Sequence, residues 1–189
     1  MAKVGIILIS DYHYGIVRNQ YSLTELVRDY TKNQFELDDP ISIRHIVAKD
    51  ISSMCRVYPH KLEDLRSFID SNDVTICFIC LGLSNYKSGY SIEMFKTHYC
   101  GIIDEIYNLS DNIDCVLMSC QINNNLKGHF AKNYELVNNM IKDISLDYDT
   151  NILLPDIKLL FLNNGDYVIS TRTIPNMVES ISRYIYETS

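Results

Sequence analysis

Several common devices are missing from this 189-residue chain, and each absence narrows the reading. No stretch approaches the roughly 18 uninterrupted apolar residues that a membrane helix needs. Basic charge is in short supply: 17 Lys and Arg stand against 24 Asp and Glu, a net charge of −7. Binding to a nucleic-acid backbone needs a basic face, so nucleic acid is not an expected partner. Neither Gly-x-Gly-x-x-Gly nor Gly-x-x-x-x-Gly-Lys occurs, and no Ser/Thr/Gly-rich first loop is present to hold a flavin phosphate. No cofactor is expected. His98 and Cys100 lie two apart on a helical stretch and do not share a face, so no metal site is expected either. Repeats, low-complexity blocks and linkers are lacking, which suits one domain over residues 1–189. Met1-Ala2-Lys3-Val4 runs straight into a short apolar segment that stops at Asp11. It is too short for a signal peptide and reads as a strand. The six cysteines are scattered, three of them inside apolar runs, as expected of free buried thiols in a reducing, cytoplasmic setting.

What is present is an alternation of strand and helix. Lys3–Ser10, Ile41–Ala48, Val74–Leu81, Asp114–Ser119 and Ile152–Leu154 read as strands, the first and third apolar on both faces. Ser22 and Glu25 form a capping box ahead of Leu23, Leu26, Val27 and Tyr30 at helical spacing. Pro59 opens a second helix with Leu62, Leu65 and Ile69 as its stripe. Further helices follow Ser91, run through Leu136–Ile144, and close the chain after Pro175. Five such units predict an α/β, three-layer sandwich with a five-stranded, mainly parallel sheet, flavodoxin-like in layout. Ligands in such sheets bind beyond the carboxyl ends of the strands. Cys77-x-x-Cys80 lies within one strand, where residues three apart face opposite sides, so it reads as core and not as a redox pair. His45, inside the second strand, reads as a core or edge histidine.

Three passages carry a resemblance to the SGNH/GDSL hydrolase superfamily over nearly the whole length. The first strand ends Ile9-Ser10-Asp11-Tyr12-His13-Tyr14-Gly15, where the family has Gly-Asp-Ser and then a Gly. The third strand leads into Gly82-Leu83-Ser84-Asn85, where the family has Gly-x-Asn-Asp, and then into a helix with Phe95 and Tyr99. Near the end come Asn138-Asn139, Leu154-Pro155-Asp156 and a last helix. The resemblance implies an SGNH-like fold and, in intact members, ester hydrolysis by a serine nucleophile.

The matching residues depart from that chemistry. Tyr12 stands at the nucleophile, Lys49 or Asp50 near the second-block Gly, and Ser84 at the oxyanion-hole Asn, with Asn85 one place on. Asp166-Tyr167-Val168-Ile169 has the Asp of Asp-x-x-His but Ile for His, and no histidine follows His129. A serine is a weak nucleophile until a neighbouring base takes its proton. The expectation is therefore a catalytically degenerate member, a binding or partner module for a small ligand or protein. Tyr12, Lys49, Asp50, Gly82, Ser84 and Asn85 would line its polar cleft. The alternative is a divergent acyl hydrolase or acyltransferase that draws Ser10, Asp11 and His13 into a non-standard catalytic set.

Overall fold

A computed structural model describes residues 3–11, 22–35, 41–86, 91–119, 121–122, 128–161 and 167–188. Five strands form the central sheet: β1 (Val4–Asp11), β2 (Ser42–Ala48), β3 (Val74–Cys80), β4 (Ile113–Met118) and β6 (Asn151–Leu153). Their spatial order is β2-β1-β3-β4-β6, and every neighbouring pair is parallel. This is the predicted sheet. Every residue of β1 is buried, because a central strand with helices on both faces has no solvent side. At the edge, β2 alternates between exposed and buried positions over its first three residues.

The helices are α1 (Leu23–Phe35), α2 (Ile51–Val57), α3 (Leu62–Asp70), α4 (Ile92–Tyr107), α5 (Gly128–Asp147) and α6 (Ile174–Thr188). The capping box forms as expected. The Ser22 amide donates to Glu25 Oε2 at 2.8 Å, and the Glu25 amide to Ser22 Oγ at 3.3 Å. α1 and α6 lie together on one face of the sheet. Ser182 Oγ of α6 donates to Thr31 Oγ1 of α1 at 2.9 Å, the Thr31 proton going to the Val27 carbonyl, and Tyr184 of α6 meets Phe78 of β3 edge-to-face. On the other face α3 approaches β1 so closely that a Cβ on Gly5 would lie 2.8 Å from the Asn72 side chain and 3.1 Å from Phe68.

Four short strands were not anticipated: β5 (Gln121–Ile122) beside β7 (Asp156–Ile157), and an antiparallel pair β8 (Leu159–Phe161) and β9 (Tyr167–Ile169). The helix expected from Pro59 is α3, and it is preceded by a separate helix, α2, that the sequence does not signal. α2 starts earlier, at an Asp50 cap, and Pro59 sits in a 3-10 turn (Tyr58–Lys61) ahead of α3. Among the described residues no helix is long and apolar enough to cross a membrane.

Candidate active site

The last two residues of β1 diverge, and that divergence builds the site. Alternate residues of a strand face opposite sides of the sheet. Ser10 shares its face with Leu8 and Ile6. In the parallel register Leu8 pairs with His45, so His45 stands on that face two residues behind Ser10. Ser10 Oγ and His45 Nε2 are 2.7 Å apart, within hydrogen-bond distance. From above, the first turn of α1 brings Thr24 Oγ1 to 3.0 Å from His45 Nδ1. The result is a chain of three polar groups, Ser10–His45–Thr24, between the sheet and α1.

Burial lowers the His45 pKa from 6.5 to about 4, because desolvation disfavours the imidazolium. The ring is therefore neutral at physiological pH and carries one N–H. Ser10 has no exposed surface.

Asp11 faces away from that chain. Its carboxylate accepts the amide of Gly82 at 3.1 Å and that of Ser84 at 2.9 Å. It ties the end of β1 to the turn that follows β3. Gly82 has φ +116°, and an added Cβ would lie 2.9 Å from Val137 Cγ1, so the turn needs glycine twice over. The Asn85 amide closes the turn on the Gly82 carbonyl at 3.0 Å, and the Tyr167 hydroxyl donates to the Leu83 carbonyl. Ser84 Oγ is buried and has no hydrogen-bond partner among the described residues.

The structure thus brings Ser10, Asp11, Gly82, Ser84 and Asn85 to one end of the sheet, at β1 and β3. Asp50 caps α2, its carboxylate accepting the Ser53 amide at 2.8 Å, and Lys49 beside it is exposed. Tyr12, His13 and Asp166 lie outside the described residues. The residues missed from sequence are His45 and Thr24. Their signal was weak: a histidine at an inward position of a strand, and a threonine in a capped first turn. Neither reveals its partner until the register of β2 on β1 is known.

By sequence, no family model and no curated protein matches. By structure, the chain is similar along its whole length to several esterases. An esterase from Pseudoalteromonas sp., in a form inhibited by monoethylphosphonate, superposes with a TM-score of 0.68 at 14% identity, over 96% of this chain and 98% of that one. A member of the lipolytic GDSL family from Veillonella parvula gives 0.67 at 12% identity, over 95% and 97%. A carbohydrate acetylesterase from Sinorhizobium meliloti gives 0.67 at 8% identity, over 99% and 100%. The fold is that of the SGNH/GDSL hydrolases, as the sequence passages implied.

The expectation of a catalytically degenerate binding module is corrected. It rested on the joint departure of Tyr12, Lys49 or Asp50, Ser84 and the missing terminal histidine from the family's catalytic set. The terminal histidine is indeed missing, but His45 of the neighbouring strand stands on Ser10 in an esterase-type fold.

Proposed function

We propose that this protein is a divergent acyl hydrolase or acyltransferase of the esterase type, acting on a small acyl ester. The observation that carries the reading is the 2.7 Å contact between Ser10 Oγ and neutral His45 Nε2 at the carboxyl end of β1. In this reading Ser10 Oγ attacks the acyl carbonyl while its proton passes to Nε2. The carbon–oxygen bond to the leaving alcohol then breaks, and the alcohol takes that proton. Water, or a second alcohol in the transferase case, attacks the acyl-enzyme through the same base and returns the proton to Ser10.

An oxyanion donor is needed as well. The Gly82 and Ser84 amides already hold Asp11, so the Ser84 hydroxyl is our candidate for that role. Asp11 holds the donor turn in place. Behind His45 stands a hydroxyl where a triad has a carboxylate, so the imidazolium formed in the transition state gains little support. Slow turnover follows from that. The likeness to a carbohydrate acetylesterase makes a short acyl group the first substrate to try. A reducing compartment such as the cytoplasm suits the five described thiols, Cys55, Cys77, Cys80, Cys100 and Cys115, all of them unbridged.

The test is a fluorescent fluorophosphonate, with the modified residue mapped by mass spectrometry. We expect a single adduct at Ser10, absent from S10A and slowed about a thousandfold or more in H45A. Labelling at another serine would retire the reading. So would no labelling while a control hydrolase reacts in the same tube.

A further inference from the structure

Four helical hydroxyls of this chain bond back along their own helix, and Thr24 does not. Thr31 donates to the Val27 carbonyl, Thr97 to Glu93, Ser180 to Asn176 and Thr188 to Tyr184, each four residues back. This is the local bond that Ser and Thr ordinarily make inside a helix. Thr24 stands in the first turn, where the residue four back precedes the helix, and its hydroxyl meets His45 Nδ1 at 3.0 Å instead.

A neutral imidazole has one N–H and one bare nitrogen, and the bond at one nitrogen sets the state of the other. Two arrangements satisfy the distances. In one, Ser10 donates to Nε2 and Nδ1–H donates to Thr24. In the other, Thr24 donates to Nδ1 and Nε2–H donates to Ser10. Only the first leaves Nε2 free to accept the Ser10 proton.

Burial separates them. Ser10 is wholly buried, and among the described residues its hydroxyl has no hydrogen-bond partner except His45. In the second arrangement the Ser10 proton would be left without an acceptor in the interior, which is costly. Thr24 is only half-buried, so its own proton can go to water while its oxygen accepts from Nδ1.

We infer that Thr24 is a positioning residue: its hydroxyl oxygen accepts from Nδ1–H and so holds His45 in the tautomer whose Nε2 receives the Ser10 proton. The inference rests on the reading of Ser10 and His45 as a nucleophile and its base, but the tautomer can be read without any turnover.

The experiment is ¹⁵N NMR of the histidine ring nitrogens in the full chain at neutral pH. The native protein should show a protonated Nδ1 and a bare Nε2 at His45. A protonated Nε2 overturns the inference outright, and this needs no variant to fold. T24V should shift His45 toward the other tautomer, and T24S should restore it. An unchanged tautomer in T24V overturns the role of Thr24. On p-nitrophenyl acetate, T24V should lower kcat by about tenfold to a hundredfold with KM little changed, and T24S should recover most of the loss. Hydrolysis that persists in S10A would instead mark failure of the functional reading, whatever the tautomer.

Discussion

At the scale of single residues, His45 is the group whose behaviour pH exposes most directly. Its neutral form is the one able to accept a proton, and burial has moved its pKa from 6.5 down to about 4. Activity through Ser10 should therefore rise through an acid limb near 4 and stay flat across neutrality, unlike a hydrolase whose histidine titrates near its ordinary value. A pH profile of kcat/KM checks this, and a limb near 6.5 would show that a different base is at work. The same shift enters stability. Between about 4 and 6.5 the unfolded chain binds a proton that the folded chain does not. Stability is therefore undiminished above 6.5, declines as the pH falls, and has taken its full loss below about 4. The loss is up to about 3 kcal/mol, and less in so far as the ring is partly open to solvent. Denaturant unfolding of the wild type and H45Q at pH 7 and pH 4.5 should show the larger acid loss in the wild type. His45 is also where sequence reading stopped short. Its burial was anticipated, but its partner was not, because a contact across strands depends on a register that one strand's own residues do not encode.

At the scale of elements, the turn after β3 depends on the end of β1. The buried amide of Gly82 and the partly buried amide of Ser84 take the Asp11 carboxylate as acceptor. D11A would strip both at once, and each stranded amide costs about 1–3 kcal/mol. G82A forces a side chain into φ +116° and against Val137, and should destabilise by about 1–3 kcal/mol. Urea unfolding followed by circular dichroism measures both. A neutral result for D11A would mean that the turn holds without its tether, and Asp11 would then have to be explained by chemistry alone. The same scale shows what a sequence makes legible. β1 and β3 declare themselves because strands covered on both faces are continuously apolar, and α1 does so through its capping box. The pairs β5–β7 and β8–β9 have two or three residues per strand, too few for any period to emerge. α2 leaves little trace in the sequence because seven residues give barely two turns of a stripe, and Asp50 is its cap and not part of a cleft.

At the scale of the whole molecule, the difficulty for any chemistry at Ser10 is access. Ser10 sits near the carboxyl end of an inner strand, paired with Val47 on one side and Cys80 on the other, and it is fully buried. Cys77, Cys80 and Cys115 are fully buried in the same sheet, and burial raises the Cys77 thiol pKa well above its ordinary value. These thiols report on the opening of the core. A probe that reached Ser10 only through global unfolding would leave Cys80 exposed at the same moment, since the two residues are register partners on adjacent strands. A functional site has to open locally, beyond the strand ends, while the sheet stays closed. We therefore expect the fluorophosphonate to modify Ser10 while a thiol reagent in the same tube leaves Cys77, Cys80 and Cys115 untouched. The half-buried Cys55 and Cys100 should react first, and the three sheet thiols only at the rate of global unfolding. Peptide mapping over time separates the two sets. If Cys80 is modified as fast as Ser10, labelling follows loss of the fold, and the serine is not an activated nucleophile of the native state. If Ser10 reacts while the three thiols remain protected, the strand end is open to substrate in a molecule whose core stays closed.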